Sequence, residues 1–172
     1  MLDAIITSQT RIKLLISLFL NTNTEKYLRQ FAEELNESPS ITKTELDRFE
    51  KAGLIVSEQK GNKKFYKVNK TYPLYNEITS IVQKTLGLDK IYEMVESLGN
   101  IEQAFIVGDY ANGIDSGIID LVIYGTVDQE LLYKLSKSLS GKIGRLIRYA
   151  VVDNKKDLKF FKDQPKIPVW EN

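Results

Sequence analysis

Apolar residues crowd the stretch 10–20, where Ile12, Leu14, Leu15, Ile16, Leu18, Phe19 and Leu20 form a dense run that stops at the polar segment 21–24. That density predicts a buried helix. Tyr27, Leu28, Phe31, Ala32 and Leu35 then recur on one helical face and predict a second, amphipathic helix ending near Asn36. Ser38 followed by Pro39 reads as the N-cap and first-turn proline of a third helix. Thr42, Leu46 and Phe49 form its buried face, and Gly53 is placed to end it in the left-handed conformation. Two short strand-like runs, 54–58 and 65–69, bracket the polar segment 59–64, whose Gly61-Asn62 pair suits a reversal. A β-hairpin is therefore expected.

Tyr72-Pro73 punctuates the chain, after which Leu74, Ile78, Ile81, Val82 and Leu86 continue at helical spacing until Gly87. A further helix over 89–98 carries Ile91, Met94, Val95 and Leu98. The remainder reads strand (104–107), strand (118–124), helix (130–139) and strand (146–152), an α/β pattern. Beyond Asn154 the pattern supports only a short helix and a tail. The expected fold is α+β in three parts: a helical and hairpin domain over 1–72, linker helices over 73–98, and an α/β domain over 99–172.

Composition narrows the chemistry. The chain has neither cysteine nor histidine. Disulfides, thiolate metal sites and the commonest general base are excluded together, a reducing cytosol is the expected location, and no cofactor or metal is implied. No apolar run reaches the ~20 residues that cross a bilayer. Net charge is only +1, yet Lys and Arg outnumber Asp and Glu twelve to nine up to Tyr72 and fall short, twelve to fourteen, after it. The positive excess lies in the half expected to meet a polyanion.

Three helices and a hairpin, with a tight turn between helices two and three, is the order of a winged helix-turn-helix. The segments 28–35 (Leu-Arg-Gln-Phe-Ala-Glu-Glu-Leu), 38–49 and 51–55 (Lys-Ala-Gly-Leu-Ile) resemble bacterial regulators of the ArsR or MarR type. The resemblance implies that the third helix enters the DNA major groove, about 12 Å wide. With Thr42, Leu46 and Phe49 turned inward, Ser40, Lys43, Thr44, Asp47 and Arg48 face outward, and Ser38 stands at the leading end. Of these, Ser38, Ser40, Lys43, Thr44 and Arg48 are candidate DNA contacts. Glu45, Asp47 and Glu50 on the same helix are expected to repel phosphate. In the hairpin, Lys60, Lys63, Lys64 and Lys67 form a basic tip suited to the backbone, with Lys60, Lys63 and Lys64 as the candidates. The alternative is a solvated helix face and a hairpin kept soluble by edge lysines.

Downstream, residues 107–113 (Val-Gly-Asp-Tyr-Ala-Asn-Gly) and 116–122 (Ser-Gly-Ile-Ile-Asp-Leu-Val) resemble the minimal nucleotidyltransferase signature. In that family a Gly-Ser precedes an Asp-x-Asp strand whose carboxylates hold magnesium. Here Asp109 stands for the serine and Ile118 for the first aspartate, leaving Asp120 alone. The third acidic position should come from a later strand, but 146–152 offers Arg148 and Tyr149. One carboxylate cannot assemble a two-metal site. Gly108, Asp109 and Asp120 are candidate contacts for a bound nucleotide; a weak cation site formed by Asp109, Asp115 and Asp120 is disfavoured.

The resulting reading is a DNA-binding regulator that is not an enzyme. It is expected to act as a homodimer on double-stranded DNA, with the 74–86 and 89–98 helices as the dimer contacts and a nucleotide as a candidate ligand. The alternatives are an active nucleotidyltransferase and an adaptor that binds protein through the winged helix.

Overall fold

Ser8 caps the first helix of the computed structural model, which describes residues 2–171: its Oγ accepts from the Arg11 NH at 3.3 Å, and α1 runs Gln9–Phe19. After the 21–25 loop comes a two-residue strand, β1 (Lys26–Tyr27), which the hydrophobic pattern does not announce. It leads directly into α2 (Leu28–Leu35), where the Gln30 side chain reaches back to the Tyr27 NH at 3.1 Å. Asn36 ends α2 in the left-handed region, at φ 52°. Then α3 spans Pro39–Lys51, with Ser38 Oγ accepting from the Ile41 NH at 3.2 Å and Gly53 turning the chain at φ 77°.

The wing is longer and its turn tighter than the sequence implies. β2 (Ile55–Lys60) and β3 (Lys63–Val68) pair antiparallel up to Lys60 and Lys63, leaving Gly61-Asn62 as a two-residue turn in place of a six-residue loop. β1 adds to the other side of β3, giving the order β1-β3-β2. Leu14, Phe31, Leu46 and Ile55 are almost wholly enclosed between the three helices and this sheet. Each such side chain contributes roughly 1.5–3 kcal/mol. This unit is a winged helix. It continues through α4 (Tyr75–Leu86), whose Tyr75 packs on Phe19 and shares a 2.9 Å hydrogen bond with Thr22.

The chain divides at 85/86, so the stretch read as a separate linker is split: α4 closes the first unit and α5 (Leu88–Ser97) opens the second. The second unit holds β4 (Ile101–Val107), the short α6 (Gly108–Ala111), β5 (Ile118–Gly125), α7 (Gln129–Ile143), β6 (Leu146–Val152), a 3₁₀ segment (Lys155–Phe161) and β7 (Ile167–Glu171). Its sheet runs β6-β5-β4-β7, with β5 and β6 parallel and the other pairs antiparallel. α5 packs on β4 and β7 with Leu88, Ile91 and Val95 fully buried, and α7 packs on β6. The opposite sheet face carries Phe105, Val107 and Val122, with Val152 of β6 beside them and Leu158 and Phe161 packed against them as a cover. The tail read after Asn154 thus contains both this cover and the β7 edge strand. The fold is α+β, a winged helix followed by a four-stranded mixed sheet with α5 and α7 packed on one face. Among the described residues, no helix is long and apolar enough to cross a membrane.

Candidate nucleic-acid interface and the C-terminal carboxylate

The outer face of α3 follows from its inner one. Thr42 and Leu46 are completely buried and Phe49 nearly so, which turns Ser40, Lys43, Thr44, Asp47 and Arg48 to solvent. Ser38 is exposed as well, but its oxygen is already used as the N-cap acceptor. Thr44 donates its hydroxyl to the Ser40 carbonyl at 3.0 Å. That commits the hydroxyl proton within the helix and leaves the exposed Thr44 oxygen as an acceptor.

Glu45 corrects the expected surface. Instead of repelling phosphate it is buried, 6% exposed, and held between Arg11 at 2.9 and 3.3 Å and Arg48 at 2.9 Å. A carboxylate buried between two guanidiniums is compensated, so it adds no negative field to the outer face. It also ties α3 to α1. Arg48 is thereby partly engaged, although its side chain remains 59% exposed.

Three of the other candidate cations are paired too. Lys43 contacts Asp47 at 2.6 Å, Lys64 contacts Glu50 at 2.7 Å, and Lys60 is bonded to Glu25. Each hydrogen bond, reinforced by charge attraction, raises its lysine above the ordinary value, and Lys64 with Ser57 lowers the Glu50 carboxyl. Lys63 has no carboxylate partner among the described residues and lies 4.1 Å from the Tyr27 ring centre. Exposed pairs of this kind are worth little, so their cations exchange readily onto phosphate.

Behind the wing, Lys26 is buried beside Ser17 Oγ at 3.1 Å and Glu34 at 2.5 Å. Burial lowers its pKa, and Glu34 restores only part of the shift.

In the second unit the three residues of the nucleotidyltransferase-like signature come together, but not as a metal centre. Asp120 lies directly opposite Arg148 in the parallel register, and Arg148 grips both carboxylate oxygens at 2.6 and 2.8 Å. The hydrogen bonds, then the charge of Asp120, raise the Arg148 pKa. Gly108, at φ 69°, closes over the same carboxylate: a Cβ there would lie 2.8 Å from Asp120 Oδ2. Asp109 is exposed on α6, and its charge reaches Arg148. Asp115 points elsewhere, bonded to Arg145 at 2.7 and 3.0 Å and to the hydroxyl of the buried Tyr110. Burial pushes the Asp115 carboxyl up, but Arg145 and Tyr110 outweigh it and hold the carboxyl below its ordinary value. Asp109, Asp115 and Asp120 do not converge, and among the described residues no cluster of three acidic side chains is poised for a metal. Sequence spacing puts Arg148 on the strand but does not show that it faces Asp120; the parallel register does.

No family model matches the chain, and no curated protein matches it. Among solved structures it is similar to reduced HlyU from Vibrio cholerae, with TM-score 0.40 and 18% identity over 51% of this chain and 83% of that one. It is also similar to a predicted DNA-binding transcriptional regulator from E. coli, with TM-score 0.37 and 19% identity over 48% of this chain and 85% of that one. A third similarity is to a mutant of the toxin–antitoxin MntA–HpeT, with TM-score 0.41 and 13% identity over 49% of this chain and 73% of that one.

Proposed function

We propose that this chain is a DNA-binding regulator of transcription that lays α3 in the major groove and grips the backbone with the β2–β3 wing. The observation that carries this reading is the outer face of α3. Ser40, Lys43 and Thr44 stand exposed in its leading half, while Glu45, the one acid there that would oppose DNA from within the helix, is buried and neutralised. Lys63 and Lys64 on the wing supply the phosphate contacts.

The C-terminal unit acts in this reading as a nucleotidyltransferase-like module without turnover. Arg148 occupies the carboxylate that metal ions would need, and Ile118 stands where a second carboxylate would. A nucleotide held by the Gly108 turn remains its candidate ligand. The regulator acts as a homodimer, since two copies reading half-sites raise affinity through effective concentration.

The experiment is selection of bound sequences from a random duplex pool, followed by binding at increasing salt. An enriched site and a linear fall of log affinity with log salt are expected. Absence of any salt-sensitive binding would remove the DNA reading and favour a protein-binding adaptor.

A further inference from the structure

The two edges of the C-terminal sheet are unequal. β7 is blunted by Pro168 and by a register irregularity against β4. β6 has neither: it pairs with β5 without a bulge and contains no proline. Its one charged side chain, Arg148, leans inward to Asp120 and leaves the outer edge unguarded.

The ladder fixes which backbone groups are free. The Leu146 NH donates to the Gly117 carbonyl at 2.9 Å, so Leu146, Arg148, Ala150 and Val152 turn their NH and C=O toward β5. Ile147, Tyr149 and Val151 turn theirs outward. The first outward NH, that of Ile147, is already bonded to Ser140 Oγ of α7 at 3.0 Å. The unblocked edge is therefore the Tyr149–Val151 window, with the exposed Ala150 at its centre.

We propose that this edge pairs antiparallel with the same edge of a second copy of the chain, with Ala150 on the two-fold axis. In that register Tyr149 lies opposite the partner's Val151, and each exchanges both backbone hydrogen bonds with the other. The Ile147 NH keeps its bond to Ser140. Aromatic and β-branched residues oppose each other on the α7 face, which is a favourable cross-strand pair. On the other face the small Ala150 meets its own mate, and Arg148 lies opposite the partner's Val152. The neighbouring register toward Ile147 would instead centre on Tyr149 and set Ile147 opposite the partner's Val151, displacing Ser140 from the Ile147 NH, so it is disfavoured. The ladder is short, so association is weak and depends on concentration.

The inference gives the proposed dimer its surface and rests on that reading for its purpose, but it is tested without DNA. Sedimentation of the full chain should show mass rising from monomer to dimer with concentration. Ala150→Lys should abolish the rise, as should Val151→Pro, which removes an outward NH while leaving the bonds to β5. Because the chain has no cysteine, Ala150→Cys carries a unique thiol. Its mate would lie at a Cα spacing of about 4.5 Å, within disulfide range. It should oxidise to a covalent dimer under native conditions, whereas Lys134→Cys on the exposed side of α7 should not. A wild type that stays monomeric, a dimer indifferent to both Ala150→Lys and Val151→Pro, or cross-linking equal at the two cysteines would overturn the proposal. Dimerisation without duplex binding would leave this pairing standing and remove the DNA reading instead.

Discussion

Asp120 and Arg148 face each other across neighbouring parallel strands, and the arginine fork takes both oxygens of the carboxylate. Catalysis of nucleotidyl transfer rests on metal ions that position and neutralise phosphate. With the carboxylate engaged, incubation with each nucleoside triphosphate plus magnesium or manganese should release no pyrophosphate above background. Release that disappears in Asp120→Asn would establish an enzyme.

Wing lysines act by releasing counterions, so Lys63→Ala combined with Lys64→Ala should weaken binding to all duplexes alike. The log-log salt slope should fall by about 0.9 for each phosphate that is no longer neutralised. An unchanged slope would take the wing out of the interface.

The recognition face should behave differently. Lys43→Ala or Thr44→Ala should relax preference at one base position by about tenfold or more while leaving the salt slope nearly intact for Thr44. Identical selected sites for wild type and both variants would contradict the assignment of α3.

Ion pairing makes a further prediction that sequence alone does not. Asp47 holds Lys43 and Glu50 holds Lys64, so Asp47→Asn and Glu50→Gln each free a cation and remove a charge that repels phosphate. Both should tighten non-specific duplex binding, most at low salt. Weaker binding by either variant would mean that the acid positions its lysine for DNA.

Tyr110 predicts a pH dependence. Burial first, then its hydrogen bond to Asp115, pushes its phenol well above the ordinary value of 10.0. A group whose folded pKa is raised contributes stability that is complete below the unfolded pKa and is lost as pH climbs past it. The urea midpoint should therefore begin to drop as pH rises past about 10 and go on dropping at higher pH, and the drop should be shallower in Tyr110→Phe. Equal slopes for both proteins would exclude this phenol as a source.

Local signals carried much of this fold, and long-range pairing hid the rest. Ser38-Pro39 and Gly53 mark α3 because capping chemistry is written in adjacent residues. β1 is two residues long and exists only through its bonds to β3, so no periodicity reveals it. The ends of the wing strands, Gln59-Lys60 and Lys63-Lys64, are polar on both faces and read as loop until the register extends to them. Glu45 looks like a surface acid because its partner Arg11 lies a helix and a strand away in sequence. β7, with lysines and prolines around it, lacks the apolar alternation of an interior strand.

The arginine on Asp120 also governs which neighbouring sequences are reachable by single substitution. An aspartate in place of Ile118 would stand two residues from Asp120 on the same sheet face, while Arg148 still claimed Asp120. A carboxylate in place of Arg148 would confront Asp120 directly and break the fork before any metal site was complete. Each step toward a metal centre therefore loses an attraction or adds a repulsion when taken alone. The pair acts as a latch: a metal centre at this position requires changes at both residues together.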